Sequence, residues 1–290
     1  MSGAPDFSII IPTYNRPTQL RRCLNALTGL EHPRDRFEVI VVDDGSVVPV
    51  ADVATSFCQR VDLTLLSVRN AGPAAARNFG ASRARGRHLA FTDDDCTPAP
   101  GWLHALDARA SGAPGTMVGG RTLNALPGNL CSTLSHLVVD AAYACYNADP
   151  DNARFFASNN LAVPTRRFLE LGGFDPEFTT AEDRDLCARW LESGGRLVYA
   201  PEAVVCHAHP LTLAGLWRQH FAYGRGAYRF HRTRDRWRRF AIDRRFYREL
   251  VLRPYARERA GRAVLLTVLL ALQQTANAAG FLAEMRAGRS

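Results

Sequence analysis

The 290-residue chain contains no lysine, and all 36 of its basic side chains are arginine, which we read as coding bias rather than chemistry. Its seven cysteines (23, 58, 96, 131, 145, 187 and 206) are odd in number and form no CxxC pair. That excludes the spacing of a zinc site and a fully paired disulfide framework, and predicts reduced, mostly buried thiols in a cytosolic protein. No signal-peptide pattern stands before Pro5 and Asp6, which lead straight into an apolar run. Internal repeats and low-complexity linkers are absent as well. Apolar residues make up 47% and charged residues 22%, a balance that sets aside large-scale disorder and suits one large or two modest domains.

Charge is unevenly spread. Between Arg218 and Arg262 fifteen arginines stand against four acids (Asp235, Asp243, Glu249 and Glu258), a local excess of +11. The rest of the chain carries 21 basic and 24 acidic residues, or −3. A mildly acidic body is thus joined to a strongly basic C-terminal segment.

The first 110 residues alternate strand and helix signals. Phe7–Ile11 is a buried strand, and Pro17 opens a helix with Leu20, Cys23, Leu24 and Leu27 at helical spacing. Phe37–Val42, Leu63–Val68 and Arg87–Thr92 are further strands. Pro73 begins an Ala-rich helix, and Trp102–Ala110 is another. This order predicts an α/β fold whose mostly parallel sheet carries helices on both faces. From Thr116 to Arg154 the pattern is weak. Met117–Arg121 reads as a strand whose glycines allow close approach to a ligand. Leu213–Tyr228 reads as a helix interrupted by Gly224 and Gly226.

Two strands end in acids. Asp93-Asp94-Asp95 follows Leu89–Thr92, and Asp43-Asp44-Gly45-Ser46 follows Phe37–Val42. Adjacent carboxylates repel unless a cation sits among them, and their hard oxygens suit Mg²⁺ or Mn²⁺. Carboxylates at the ends of parallel strands are how an open α/β sheet builds a nucleotide site.

With these elements placed, the chain resembles the family-two glycosyltransferases of the GT-A fold from about Phe7 to Tyr228. The matching strings are Ile10–Arg16 (IIPTYNR), Val41–Ser46 (VVDDGS), Asn70–Asn78 (NAGPAAARN) and Phe91–Asp95 (FTDDD). They continue with Gly172–Asp175 (GGFD), Glu182-Asp183 and Tyr223–Gly226 (YGRG). The resemblance implies an inverting, metal-dependent transfer of a sugar from a nucleoside-diphosphate sugar, by preference UDP-linked, to an acceptor hydroxyl. The acceptor class would be a lipid-linked or cell-envelope glycan or a small molecule.

The resemblance also implies residue roles. Pro12, Thr13, Tyr14, Asn15, Asp44, Arg77, Asp93, Asp94, Gly120 and Arg121 would line the nucleotide and donor. Asp95 would be the main ligand of Mn²⁺ or Mg²⁺, with Asp93 and with His207, or His209 in its place. Asp183 would be the general base, accepting the acceptor hydroxyl's proton. As a residue pair alone, Glu182-Asp183 equally suits the start of a helix, where acids oppose the dipole. Asn160, Glu182 and Trp217 would border the acceptor. The Gln-x-x-Arg-Trp string of processive synthases is missing, which points to single transfer.

The expected division is a GT-A domain over 1–220 and a basic helical extension over 221–290. In that extension arginines interleave with Trp237, Phe240, Phe246, Tyr247 and Tyr255, and Ala263–Ala283 holds no charge. The polar residues of its second half favour an amphipathic helix over a membrane span. We expect a cytoplasmic protein, peripheral on the inner face of an anionic membrane, with no nucleic-acid partner. Two rival readings remain: a sugar nucleotidyltransferase, although Pro12–Asn15 replaces its Gly-rich loop, and a non-catalytic nucleotide-sugar-binding module.

Overall fold

The computed structural model describes residues 4–112, 115–233 and 244–288. The chain divides into two compact units. The first comprises Met1–Leu123, Asp149–Pro176 and Glu182–Ala208, and the second Asn124–Ala148, Glu177–Ala181 and His209–Ser290.

The first unit begins with β1 (Phe7–Thr13), α1 (Pro17–Leu27), β2 (Phe37–Asp43), α2 (Ala51–Thr55), β3 (Leu63–Ser67), α3 (Pro73–Ala81) and β4 (His88–Phe91). These four strands pair in parallel in the order β3-β2-β1-β4. Their apolar runs suit a sheet covered on both faces, and every residue of β1 is buried. The register sets Thr13 beside Asp43 and Ile10 beside Phe91, so both acidic segments leave the sheet at its C-terminal edge. Gly80 lets α3 lie close to the sheet, since a Cβ there would come within 2.8 Å of Ile10 and 2.9 Å of Val42.

Next come β5 (Cys96–Pro98), α4 (Trp102–Ser111) and β6 (Met117–Asn124). The 17-residue α5 (Leu130–Tyr146), which the weak patterning from 116 to 154 did not predict, belongs to the second unit. β7 (Leu161–Pro164), α6 (Thr165–Glu170), α7 (Glu182–Glu192) and β8 (Leu197–His207) follow. The eight strands run β3-β2-β1-β4-β7-β6-β8-β5. β7 is antiparallel to β4 and β6, and β5 is antiparallel to β8 with Cys96 opposite His207. That last register brings a histidine to the foot of the acidic triplet.

The second unit is helical. Besides α5 it holds α8 (Leu213–Thr233), α9 (Arg244–Arg257) and α10 (Ala260–Ala287). Leu134, Leu137 and Ala141 of α5 cluster with Leu216, Leu250, Leu266 and Leu270 from the other three helices. The expected interruption of α8 is corrected: the helix runs through Gly224 and Gly226. A Cβ on Gly224 would lie 1.9 Å from the Asn277 carbonyl of α10, and one on Gly280 of α10 would lie 1.9 Å from the Phe221 carbonyl. The glycines seat two helices backbone to backbone, and that contact overrides their poor helix propensity. Glu284 then accepts from Arg225 at 2.5 Å and Arg229 at 2.6 Å. Trp237 and Phe240 of the basic stretch lie outside the described residues.

Candidate active site

Each carboxylate of the triplet meets a different partner. Asp93 accepts from Arg77 at 2.6 Å. Asp94 accepts from the Thr13 hydroxyl at 2.7 Å and Arg16 at 3.3 Å. Asp95 lies 3.1 Å from Arg16 and 3.1 Å from His207 Nε2. The backbone N–H of Ala208 donates to the Asp95 carbonyl at 2.9 Å, which pins the end of β8 there. Burial, with added repulsion from Asp95 and Asp93, lifts Asp94 to about 6 although Thr13 and Arg16 pull it down. Burial alone would lower His207, but the Asp95 carboxylate outweighs it and holds the imidazole above its ordinary pKa.

The second acidic turn shares its work between neighbours. Asp43 accepts from the Ser46 N–H at 3.0 Å, closing a turn in which Gly45 takes a φ of +78°. Asp44 is buried, and its two carboxylate oxygens accept from the Ala71 N–H at 2.8 Å and the Gly72 N–H at 2.9 Å. It therefore orders the loop that leads into α3, with Asn70 donating to its backbone carbonyl at 2.9 Å. Asn15, at a φ of +55°, accepts from the Val47 and Val48 N–H groups and ties the loop after β1 to the loop after β2. Asparagine tolerates this left-handed conformation better than most residues. Tyr14 beside it is 46% exposed.

Arg77 lies one turn into α3 and is only 3% exposed. Its guanidinium spans from Asp93 to Glu182, 3.2 Å away at the start of α7, and stacks over the Phe174 ring. Asp183 follows, its Oδ1 accepting from the Arg184 N–H at 2.7 Å. Burial first, then the Glu182 charge, raise Asp183 to about 7, against the pull of Arg77. A carboxyl poised there can take up a proton near neutral pH.

Other expected site residues are placed differently. The Asn160 side chain is 0% exposed, and its amide is occupied by Trp102, the Arg121 carbonyl and the Ala203 carbonyl. It braces the sheet through these bonds. Gly119 and Gly120 make room for protein: a Cβ would meet the Phe156 ring at 2.0 Å and the Ala203 carbonyl at 2.1 Å. The Arg121 side chain is exposed, and Trp217 lies on α8 of the helical unit. Pro12 sits within β1 opposite Val42.

Four residues with a direct hand in this geometry escaped the sequence reading. Arg16 braces two of the three acids, and the motif string that ends on it was the available signal. Asn70 completes the Asp44 clamp. Asn78 bonds both the N–H and the carbonyl of Phe174 across 96 positions, at 2.9 and 2.6 Å. Arg189 donates to the Leu171 and Gly173 carbonyls, at 2.8 and 2.5 Å. Together Asn78 and Arg189 hold the Gly172–Asp175 turn, where both glycines take positive φ.

A mixed α/β sheet with carboxylates at the ends of its parallel strands is the architecture of a GT-A protein. The sequence model of glycosyl transferase family 2 matches residues 8–155, and that of glycosyl transferase family group 2 matches 133–282. The chain belongs to glycosyl transferase family 2. It is 32% identical over 229 residues to the pre-mycofactocin glycosyltransferase of Mycobacterium tuberculosis, which covers 77% of this chain and 47% of that relative. The chain thus spans about half that relative's length. It is 30% identical over 229 residues to glycosyltransferase AglE of Haloferax volcanii, covering 78% of this chain and 74% of the relative. Among solved structures, the mannosyltransferase PcManGT from Pyrobaculum calidifontis, in complex with GDP-Man and Mn²⁺, superposes with a TM-score of 0.68 at 20% identity over 97% of this chain and 87% of that one. TarS 1-349 of S. aureus, in complex with UDP-GlcNAc, gives a TM-score of 0.59 at 15% identity over 97% and 92%. These two likenesses show the fold.

The donor set suits a divalent cation. Asp95 and His207, with His209 two residues further along the chain, are of metal-ligand type, and carboxylate oxygen with imidazole nitrogen suits a divalent transition-metal ion such as Mn²⁺.

Proposed function

We propose that the chain transfers a sugar from a nucleoside-diphosphate sugar to an acceptor hydroxyl, by metal-assisted single displacement with inversion. The observation that carries this is one connected array: the carboxylates Asp93–Asp95 at the sheet edge, linked through Arg77 to the acidic start of α7. Asp183 takes the proton of the acceptor hydroxyl as its oxygen attacks the anomeric carbon. The bond from that carbon to the phosphate oxygen breaks, and its electron pair leaves with the nucleoside diphosphate. A cation held by Asp95, Asp93 and His207 would offset the charge on the departing diphosphate. Thr13 and Arg16 keep Asp94 oriented, and Asp44 keeps the 70–72 loop in place beside the nucleotide.

UDP is our preferred nucleotide, although the solved relatives include both GDP-Man and UDP-GlcNAc complexes. Thermal melting across a panel of nucleoside diphosphates, with and without Mn²⁺, tests the reading. A ligand at 100 times its Kd stabilises by about 2.7 kcal/mol. A melting temperature blind to every nucleotide would sink it. Hydrolysis of the nucleotide sugar by the purified chain distinguishes an enzyme from a module that only binds.

We also propose that the helical unit rests on an anionic membrane at the cytoplasmic face, where a lipid-linked or cell-envelope glycan would be the acceptor. α10 is long and apolar enough to cross a membrane by length and composition, yet its outward residues Val264, Leu265, Val268 and Leu282 form one exposed stripe at helical spacing. That pattern favours lying in the interface, with the arginine excess meeting lipid headgroups. Co-sedimentation with phosphatidylserine vesicles should fall with salt, and should fall further in a Leu265→Glu, Val268→Glu variant. Equal binding by parent and variant would return this face to packing.

A further inference from the structure

The resemblance assigns Arg77 to the nucleotide, but its surroundings give it other work. It is 3% exposed, and both terminal nitrogens are spent on carboxylates from different elements, Asp93 after β4 and Glu182 on α7. The ring of Phe174 covers it, and Asn78 and Arg189 hold the turn that carries Phe174. Its Nε is buried without a hydrogen-bond partner among the described residues. We propose that Arg77 is a positioning residue that couples the donor side of the site to the base: one guanidinium fixes Asp93 and Glu182 together and so sets the direction of Asp183. This rests on the glycosyltransferase reading above.

Two physical points support it. Arginine presents its donors in a rigid planar fork, so one side chain can fix the angle between two carboxylates, whereas a lysine ammonium cannot. Without a cation, Asp93, Glu182 and Asp183 would also repel one another in a poorly solvated place. The charged groups acting on Asp183 are Glu182 beside it and Arg77 from α3, and the Cys187 thiol lies one turn along α7.

The experiment compares the parent chain with its Arg77→Lys, Arg77→Gln and Glu182→Gln variants. UDP and Mn²⁺ serve as binding probes, and hydrolysis of UDP-sugars as the activity. The carboxyl titration of Asp183 is followed by NMR, its signal identified by its loss in Asp183→Asn. We expect Arg77→Gln to lower kcat by about 10²-fold, a scale set by loss of general-base function. The same change should move the Asp183 midpoint upward from about 7, because a cation that favours the carboxylate is gone. Arg77→Lys should restore the midpoint but leave kcat about tenfold down. Glu182→Gln, which releases one arm without touching the donor side, should lower kcat with UDP affinity unchanged, and it keeps the test alive should Arg77→Gln fail to fold. A rise in KM alone, with kcat and the Asp183 midpoint as in the parent, would overturn the proposal and make Arg77 a nucleotide contact. A parent that binds UDP but hydrolyses no sugar nucleotide would refute the enzyme reading instead, while the titration still decides whether Arg77 acts on Asp183.

Discussion

The two units of this chain use the same pair of charges in opposite ways. In the sheet unit, carboxylates converge on one edge and a few arginines neutralise them: Arg16 between Asp94 and Asp95, Arg77 between Asp93 and Glu182. In the helical unit arginines are in excess, and a buried carboxylate, Glu284, draws Arg225 and Arg229 onto α10. Crowded acids cost stability and are kept where a cation or a proton has to be handled. Paired arginines on a helix face hold packing together and leave surplus charge for the surface. The sheet unit should therefore respond to substitution mainly in function, and the helical unit mainly in stability.

The sharpest test of that contrast is Asp95→Asn. Removing one carboxylate next to His207 should abolish metal-dependent nucleotide binding and cut transfer by two to three orders of magnitude or more, the scale of losing one electrostatic stabiliser. The melting temperature should hold or rise, since a repulsion is relieved. Calorimetry of UDP binding with Mn²⁺ reads the effect, and unchanged affinity would remove Asp95 from the metal site.

Asp183→Asn should come next, with turnover down roughly 10²-fold and donor KM unchanged. The pH profile of the parent gives an independent reading. The base acts as the carboxylate, so kcat should be low in acid and rise with a midpoint near 7, the value to which burial and Glu182 lift Asp183. A profile flat between pH 5 and 8, or a larger loss in Glu182→Gln, would mean the base is another group.

What was legible beforehand follows the same division. Asp93–Asp95, Asp44 and Glu182-Asp183 could be found because each is a short string at the end of a strand or start of a helix. The parallel half of the sheet could be found because buried β-branched runs alternate with capped helices. Arg16 was harder, because its role exists only once the loop after β1 curls over the triplet, and Asn78 with Phe174 is a pairing 96 positions apart. The packing roles of Asn160 and Gly120 were hidden for a related reason: small or polar residues at a close approach look alike whether the neighbour is a ligand or the protein's own backbone. α5 carries buried residues around much of its circumference and so lacks a clear period. Gly224 and Gly226 signal a break on propensity alone, and only close approaches explain their place inside a helix: Gly224 to Asn277 of α10, and Gly226 to Thr180.

In the helical unit a paired substitution tests packing against propensity. Gly280→Ala places a methyl 1.9 Å from a backbone carbonyl, and backbone cannot step aside as a flexible side chain can. We expect a loss of about 1–3 kcal/mol, typical of overpacking, read as a drop of several degrees in melting temperature. Gly261→Ala in the same helix meets nothing within 4 Å and should be neutral or stabilising by up to about 1 kcal/mol. Equal effects from both would show that the glycines are incidental to the α8–α10 contact.

The smallest expected effect lies at the residue before α7. Ala181 holds a φ of +74°, a left-handed conformation in which its Cβ crowds the following carbonyl at a cost of roughly 1–2 kcal/mol. Strain of this kind persists where the surroundings demand it, and Glu182 and Asp183 follow immediately in the chain. Ala181→Gly should remove the crowding while adding chain entropy to the unfolded state, which offsets part of the gain. The net should be about 0.5–1 kcal/mol of added stability, a rise of one to three degrees in melting temperature. If the strain serves only to aim α7, the same change should also loosen the base and lower kcat by a small factor, with UDP affinity untouched. A fall in melting temperature would show that Ala181 is not strained.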